Sequence, residues 1–275
     1  MGIINTSISP QHISVVKVGS RLVSNPEMTA LDLDAIGHIG QRIRTSEDAM
    51  RDVGRSLHTV LVSSGAVPAG IERLGLSRED VDNDLTLKRV SSMVGNLALN
   101  LAWEEATGYI TAPDLPTHND LDSDESWSHL SSAIKRALVM GLLPILNDGD
   151  ARSSEELVTT MRANGKDISI FGDNDQLAAH TAVQLGARSL YFLTASNGVL
   201  EDVSDPSSTL KEIRVSEVDD FIAQRVDDSS VSNGGMASKL QAARYAAAHG
   251  VELVRIANGR ADASERARIG THIVL

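Results

Sequence analysis

The chain has 275 residues, of which 41% are hydrophobic and 23% are charged, and its formal net charge is −12. An acidic balance argues against a general nucleic-acid-binding protein, which needs a basic surface. The chain has no cysteine, which excludes disulfides, zinc–thiolate sites and thiol catalysis. No apolar run approaches the roughly 20 residues of a membrane-spanning helix, and the N-terminus lacks a signal-peptide pattern. We therefore expect a cytoplasmic protein that binds neither nucleic acid nor a membrane.

Short runs of β-branched residues alternate with segments of helical spacing. In chain order, the predicted elements are strand 13–18, helix 31–53, strand 59–62, helix 85–106, strand 109–111, helix 126–140, strand 143–146, helix 176–185, strands 189–193 and 199–200, helix 239–249 and strand 251–256. Most of the strands are continuously apolar, which is typical of strands buried on both faces of a parallel sheet. The alternation predicts a layered α/β fold. Residues 120–125 and 147–166 are predicted to be loops, and residues 204–232 a small polar subdomain.

Lys17 leaves the first predicted strand and is followed by Val18, Gly19 and Ser20. In an open α/β sheet, a side chain at this point reaches the carboxyl edge, where ligands bind. Gly19 would let backbone N–H groups approach an anion closely. The pattern therefore indicates an anion site, although a solvated lysine at a strand end explains it about equally well.

Two other strands are also followed by small or polar residues. Ser64 and Gly65 open a helix-like segment, whose N-terminal N–H groups suit a phosphate or carboxylate. A tight turn that needs small residues for packing is the alternative. Asn147 and Asp150 follow the strand 143–146, where Asp150 could hold a substrate ammonium group. The alternative there is an Asx turn, which uses the same residues.

Asp173, Asn174 and Asp175 lie between a β-like run and a helix-like run. Asp175 could orient Lys17 and Lys239, and Asn174 could hydrogen-bond a substrate, while Asp173 or Asn174 also suits a helix N-cap. Lys239 follows two glycines, as in a phosphate cradle, although the chain has no Walker A motif and a flexible loop is the alternative. Two cations, a carboxylate cluster and several glycine turns are the parts of a phosphoryl-transfer site.

Other kinds of site are not indicated. The eight histidines are scattered without His-x-x-x-His spacing, so we expect no metal constellation. A serine hydrolase is not expected either, because no Gly-x-Ser-x-Gly elbow occurs.

Taken together and in this order, the motifs resemble the amino acid kinase family from about residue 13 to residue 273. The resemblance implies a three-layer α/β/α sandwich around a mainly parallel sheet. It also implies MgATP as phosphoryl donor and a small amino acid or carboxylate as acceptor. The motifs resemble in particular those members that phosphorylate the side-chain carboxylate of glutamate to an acyl phosphate, the first step of proline biosynthesis.

Roles for individual residues follow from the resemblance. The implied catalytic residues are Lys17 and Lys239, which would neutralise the transferring phosphoryl group, and Asp175, which would hold both lysines. The implied acceptor-binding residues are Ser64, Gly65, Asn147, Asp150 and Asn174. The implied nucleotide-binding residues are Lys17, Gly19, Ser20, Thr194, Asn233, Gly234, Gly235, Met236 and Lys239. Mg²⁺ would be held mostly by phosphates and water, so no protein metal ligand is expected.

The resemblance also implies a single domain over residues 1–275, with an acceptor half of about 1–168 and a nucleotide half of about 169–275. A homo-oligomer, either dimer or tetramer, is expected. The RNA-binding-like C-terminal domain of many bacterial relatives is expected to be absent.

Several positions depart from the family pattern. Ala195 and Leu200 replace a usual Asp and Tyr, Gly149 replaces a usual Asn, and the segment between Asp150 and Gly172 is longer than usual. Two alternatives therefore stay open: a divergent kinase for another small acid, and a non-catalytic binding protein on the same scaffold. The presence of Lys17, Asp175 and Lys239 argues against the non-catalytic protein.

Overall fold

The structure is a computed structural model that describes residues 12–116, 123–148, 160–163, 166–169, 174–202, 204–205, 207–223, 235–261 and 269–275. The strands are β1 Ile13–Val18, β2 His58–Ser63, β3 Thr111–Asp114, β4 Leu143–Leu146, β5 Thr160–Ala163, β6 Lys166–Ser169, β7 Ser189–Thr194, β8 Glu212–Arg214, β9 Leu253–Asn258 and β10 Thr271–Val274. The helices are α1 Ser20–Val23, α2 Leu33–Asp52, α3 Ala66–Leu74, α4 Arg78–Asn83, α5 Leu85–Thr107, α6 Asp124–Val139, α7 Asn174–Leu185, α8 Val218–Ala223 and α9 Met236–Ala248.

Eight of these strands form one sheet in the order β3-β4-β2-β1-β7-β9-β10-β8. Neighbouring strands from β3 to β9 are parallel, and β10 runs antiparallel to β9 and parallel to β8. Strands β5 and β6 pair separately as an antiparallel hairpin. The mainly parallel sheet predicted from the sequence is confirmed.

The central strand β1 is buried along its whole length and supplies two hydrophobic cores. Ile13 and Val15 point to a core shared with α6, α7 and α9, whereas Val16 and Val18 point to a core shared with α2 and α5. Successive side chains of a strand face opposite sides, so a strand with a core on each side reads as continuously apolar. The result is the predicted α/β/α sandwich.

The structure differs from the sequence prediction where elements are short. Residues 199–200 make only a single bridge, from Leu200 to Thr209. Part of the predicted loop 147–166 lies in the β5–β6 hairpin, and the predicted loop 120–125 ends inside α6. The segment predicted as a separate subdomain contributes Ile213 and Val218 to the main core. Apart from α6, the elements concerned have three to six residues, which is too few for a period to be recognised.

The helix predicted to open after Ser64 and Gly65 is present as α3, although Pro68 and Gly70 kept its length from being predicted. Pro68 is the third residue of the helix, and the first turn tolerates proline because its N–H groups have no partner within the helix. Gly70 is required by packing. A Cβ atom there would lie 1.8 Å from the Ser91 backbone oxygen, and one on Gly95 would lie 1.8 Å from the Ala66 backbone oxygen. Helices α3 and α5 therefore touch backbone to backbone.

We expect Gly95→Ala to destabilise the protein by more than the ~1–3 kcal/mol of ordinary overpacking, because the new methyl group meets backbone rather than a movable side chain. Gly37→Ala is a matched control: Gly37 lies within α2, and a Cβ atom there meets nothing within 4 Å. The control should be neutral or stabilising by up to ~1 kcal/mol. Urea unfolding of both variants measures the difference; equal midpoints would show that the two helices can separate without cost.

Helices α7 and α9 are joined by an aromatic stack. The rings of His180 and Tyr245 are 4.3 Å apart at an angle of 10°. Burial, and to a smaller extent the nearby His249, lowers the pKa of His180 from 6.5 to about 4. His180 is therefore neutral in the folded protein at pH 7.

This lowered pKa predicts a stability change with pH. The unfolded chain binds a proton on this histidine below about pH 6.5, whereas the folded chain does so only near pH 4. The contribution is complete above pH 6.5 and is lost as the pH falls towards 4. His180→Phe keeps a ring for the stack and should flatten the dependence of the urea midpoint between these pH values. A variant with the wild-type slope would assign the acid sensitivity to other groups.

The outer face of α5 carries an apolar stripe. Met93, Leu97 and Leu101 are 68%, 57% and 52% exposed, and Val90 extends the row by one turn. Their spacing of three and four residues places them on one side of the helix, opposite Gly95. None of the helices that the structure describes has the length and hydrophobicity needed to cross a membrane.

Candidate active site

The carboxyl ends of four parallel strands meet at one edge of the sheet. Val18 of β1 pairs with Ser63 of β2 and with Leu193 of β7, and Val62 of β2 pairs with Leu146 of β4. The residues that follow these strands are therefore neighbours. They include Gly19, Ser64 and Asn147, whose proximity the sequence motifs predicted.

A buried cluster of two lysines and one aspartate lies at this edge. Lys17 Nζ is 2.6 Å from Asp175 Oδ1, and Lys239 Nζ is 3.0 Å from Asp175 Oδ2. The side chains of Lys17, Asp175 and Lys239 are 5%, 1% and 12% exposed. The contact expected between Asp175 and both lysines is present, and its role in catalysis stays a prediction.

The positions of the three side chains follow from the local structure. Lys17 lies on the same side of β1 as Val15, which faces α7 and α9. Asp175 is the second residue of α7 and Lys239 the fourth residue of α9, so both lie in first turns. Lys239 Nζ also donates to the Gly235 backbone oxygen at 3.0 Å. This bond ties the lysine to the start of its own helix.

The Asp175 carboxyl group is shared by the two lysines. Burial alone would raise the pKa of Asp175, but the charges of Lys17 and Lys239 outweigh it and hold this pKa below its usual value. Asp175 therefore accepts from both lysines as a carboxylate. Two lysines and two helix N-termini at one edge of the sheet suit a polyanion.

A chain of side-chain amides lies next to this cluster. Asn174 Nδ2 donates to Ser64 Oγ and to Asn147 Oδ1, each at 2.9 Å. Asn174 Oδ1 accepts from the Asp148 backbone N–H at 2.9 Å. Asn147 Nδ2 in turn donates to Asn96 Oδ1 at 3.1 Å. The structure thus brings together Ser64, Asn147 and Asn174, the described polar members of the predicted acceptor site.

The turn after β2 needs a glycine. Gly65 has φ +115°, and a Cβ atom there would lie 3.1 Å from Val23 Cγ2. The Ser64 backbone N–H donates to the Val18 oxygen at 3.0 Å, which fixes the turn against β1. Gly65 therefore has a packing role, and its predicted contact with an acceptor stays a prediction.

The predicted nucleotide residues that the structure describes lie at two places. Gly19, Ser20 and Thr194 are at the ends of β1 and β7, where the Gly19 N–H donates to the Leu193 oxygen at 3.4 Å. Gly235 and Met236 lie at the start of α9. Three other predicted residues fall outside the described part of the chain: Asp150, Asn233 and Gly234. Their assignments, like those of the whole group, stay predictions.

Among the described residues, no group of three or more His, Cys, Asp or Glu side chains could hold a metal ion. Ala195, one of the departures from the family pattern, is exposed beyond the end of β7. The residue that the sequence motifs missed is Asn96. It lies within α5, where nothing in the sequence marks it, and only the folded chain shows its contact with Asn147.

The fold and this edge define an α/β protein with a buried Lys–Asp–Lys cluster at the carboxyl ends of a mainly parallel sheet. The chain belongs to the amino acid kinase family, whose sequence profile matches residues 12–258.

Curated relatives agree with this assignment. The chain is 32% identical over 241 residues to glutamate 5-kinase from Thermus thermophilus, and the match covers 86% of the chain and 59% of that protein. It is 34% identical over 254 residues to glutamate 5-kinase from Hydrogenovibrio crunogenus, with coverage of 90% and 62%. The chain therefore spans about 60% of the length of these relatives.

Solved structures show the same fold at lower sequence identity. Carbamate kinase from Giardia superposes with a TM-score of 0.65 at 15% identity, and the match covers 97% of this chain and 99% of that one. UMP kinase from Ureaplasma parvum gives a TM-score of 0.56 at 13% identity, with coverage of 96% and 100%.

Proposed function

We propose that the chain is a phosphotransferase that moves the γ-phosphoryl group of ATP to the side-chain carboxylate of glutamate. The observation that carries this proposal is the buried Lys17–Asp175–Lys239 cluster at the carboxyl edge of the sheet. The relatives named glutamate 5-kinase support glutamate as the acceptor. The product would be an acyl phosphate, the first intermediate of proline biosynthesis.

The proposed chemistry needs positioning and charge rather than a general base. A carboxylate oxygen of the acceptor attacks the γ-phosphorus, the bond to the bridging oxygen breaks, and ADP leaves with that electron pair. Lys17 and Lys239 neutralise negative charge on the phosphoryl group, and Asp175 holds both ammonium groups in place. Two lysines at this edge of the sheet fit a triphosphate. Mg²⁺ held by the phosphates and by water would supply further neutralisation.

The acceptor is proposed to bind beside the amide chain. Ser64 and Asn147 both contact the Asn174 amide, so their side chains face a common space. Hydroxyl and amide N–H groups suit a carboxylate. Asp150 is proposed to hold the ammonium group of the amino acid. The proposed nucleotide side lies along Gly19, Ser20, Thr194 and the start of α9.

A second candidate is the same chemistry on another small acid. The observation in its favour is the β5–β6 hairpin, which lies in the segment that is longer than usual and adjoins the acceptor residues in sequence. Ala195 and Leu200, which replace a usual Asp and Tyr, also favour this second candidate. A non-catalytic binding protein is less well supported, because both lysines and the aspartate are present and in contact.

ATP consumption by the purified protein, measured with Mg²⁺ and hydroxylamine against a panel of amino acids and small carboxylates, tests the proposal. Hydroxylamine converts an acyl phosphate into a stable hydroxamate. Hydroxamate formed from glutamate is the expected result. Turnover with another acid alone would favour the second candidate, and turnover with none would support the non-catalytic alternative.

The organisation of the chain also enters as a proposal. Residues 1–168 would form the acceptor half and residues 169–275 the nucleotide half of one domain. Lys17 comes from the first half, and Asp175 and Lys239 from the second. A cytoplasmic location follows from the proposed pathway, whose substrates are metabolites of that compartment.

The predicted homo-oligomer is proposed to form through the apolar stripe of α5, with a second copy of the chain as its partner. Arg89 and Glu105 lie eight residues before and after Leu97, so the helix is basic near its start and acidic near its end. An antiparallel pair of such helices places each basic end beside an acidic end. The stripe is thus complementary to itself about Leu97.

We expect Met93→Lys to shift the protein towards monomer in sedimentation experiments, because it places a charge within the proposed contact. Met140→Lys is a matched control, since Met140 is 63% exposed and Met93 68%, and Met140 lies directly after α6 rather than on the stripe. The assembly state should survive that change. If both variants assemble like the wild type, the stripe is not the contact.

A further inference from the structure

We propose that Asn96 is a positioning residue that holds the Asn147 amide in one orientation, so that the acceptor site offers donors to an anionic oxygen. This inference rests on the proposed function for the identity of the acceptor. It concerns a helical residue outside the predicted site. Asn96 touches none of the proposed catalytic groups and would act through Asn147 and Asn174.

The amide chain is anchored to backbone groups at both ends. At one end, the Asp148 backbone N–H donates to Asn174 Oδ1 at 2.9 Å. At the other end, Asn96 Nδ2 donates to the Ser92 backbone oxygen at 2.9 Å. A backbone N–H can only donate, and a backbone carbonyl can only accept. These two groups therefore fix which atom of each terminal amide is oxygen and which is nitrogen.

The orientation of the middle amide follows by elimination. Because Asn174 Oδ1 faces Asp148, its Nδ2 must donate to the facing atom of Asn147, which is therefore Oδ1. Asn147 Nδ2 then points to Asn96, whose facing atom must be an acceptor, as Oδ1 is. Reading the chain from Ser92 gives the same answer. All three amides agree on one direction, in which each nitrogen donates toward the next oxygen.

This direction decides what the site can offer to a ligand. Asn174 Nδ2 donates to Ser64 Oγ at 2.9 Å, so the Ser64 hydroxyl hydrogen must point elsewhere. Within the described part of the chain that hydrogen has no acceptor, and the second amide hydrogen of Asn147 has none there either. Two donors, the Ser64 hydroxyl and the Asn147 side-chain N–H, are therefore available beside the Asn174 amide. A carboxylate can accept both, whereas the N–H₂ group of a primary amide can accept neither.

The close packing of α5 on α3 holds Asn96 in place beside the acceptor site. The neighbouring Gly95 packs directly on the α3 backbone, where a Cβ atom would lie 1.8 Å from the Ala66 oxygen. The Ser64–Gly65 turn leads into that same helix. Helix α5 thus fixes the distance between Asn96 and the Ser64–Gly65 turn. Without the Asn96 acceptor, only the bond from Asn174 Nδ2 still holds the Asn147 amide, which is then free to rotate about that single contact.

Asn96→Leu tests the inference, because leucine has a similar volume and no acceptor. The expected result is at least a tenfold rise in KM for glutamate, with KM for ATP within twofold of the wild type. The preference for glutamate over its side-chain amide, glutamine, should fall. Asn96→Asp keeps an acceptor oxygen at the same position. Its KM for glutamate should therefore be closer to the wild-type value than that of Asn96→Leu. Equal rises in both KM values would indicate a structural role and overturn the inference.

Asn100→Leu is a matched control on the same helix. Asn100 Nδ2 donates to the Asn96 backbone oxygen at 2.7 Å, just as Asn96 Nδ2 donates to the Ser92 backbone oxygen at 2.9 Å. Its amide has no bond to Asn147 or Asn174 among the described residues, so both KM values should stay near those of the wild type. The same rise in KM for glutamate in Asn96→Leu and Asn100→Leu would contradict a specific role for Asn96.

A measurement without turnover separates this inference from the proposed function. In the ¹⁵N NMR spectrum, the side-chain amide signals of Asn147 and Asn174 should move in Asn96→Leu and stay in place in Asn100→Leu. Unmoved signals in Asn96→Leu would overturn the positioning role. Wild-type protein that phosphorylates no acid, combined with moved signals, would overturn the proposed function and leave the amide chain as described.

Discussion

Lys17→Ala and Lys239→Ala are each expected to lower turnover by at least about 10²-fold, the usual loss when one group that stabilises transition-state charge is removed. Each lysine holds its charge within 3.0 Å of one oxygen of Asp175 and is largely shielded from water. Charges in such a site act more strongly than in solvent. The loss should appear in kcat more than in KM for glutamate, because the lysines act on the phosphoryl group.

Lys211→Ala is the control for this pair of variants. Lys211 is exposed at the start of β8, on the edge strand of the sheet. Its removal should leave kcat unchanged. Circular dichroism of the two active-site variants should show the wild-type fold. Wild-type turnover in either Lys17→Ala or Lys239→Ala would remove the catalytic assignment of that lysine.

Asp175→Ala is expected to destabilise the protein by about 3–5 kcal/mol, the usual effect of removing one partner from a buried charge cluster. The variant removes the carboxylate that contacts both buried lysines. It should also change the response to acid. In the wild type the pKa of Asp175 is lowered, so its contribution is complete above its unfolded pKa of about 4 and is lost as the pH falls through the folded value.

Urea unfolding from pH 7 to pH 3 measures both effects. The acid-dependent loss of stability should be smaller in Asp175→Ala than in the wild type. Asp48→Asn is the comparison, because Asp48 forms an ion pair with Arg51 in which both side chains are at least half exposed. An exposed pair contributes at most about 1 kcal/mol. Equal losses in the two variants would mean that the buried cluster contributes no more than a surface pair.

Strands buried on both faces could be predicted closely from the sequence. The bounds of β1 and β4 match the predicted runs 13–18 and 143–146, since an unbroken apolar run needs no context to be recognised. Strand β10 was missed because its residues alternate in burial over only four positions. The start of helix α3 after Gly65 could be predicted, but its length could not, because packing against α5, which requires Gly70, outweighs its weak helical propensity.

The candidate site also contains residues that could be selected from the sequence and one that could not. Lys17, Asp175 and Lys239 could be selected because Lys17 lies near the end of a predicted strand, Asp175 follows an apolar run and Lys239 follows a glycine pair. Their distances could not be predicted, because these depend on how α7 and α9 pack. Asn96 could not be selected at all. A polar residue within a helix usually faces solvent, and only the position of β4 beside α5 shows that it contacts Asn147.

The shared carboxylate of Asp175 also has a consequence for the order of events during folding. Lys17 and Lys239 are 222 residues apart (239 − 17), and Asp175 lies 158 and 64 residues from them. Contacts across such separations form after the local ones, because the long intervening segments must be closed first. A chain still being synthesised therefore has only half of this cluster until α9 has packed against the sheet. The pair of lysines proposed to bind the triphosphate would therefore be completed in one of the last steps of folding.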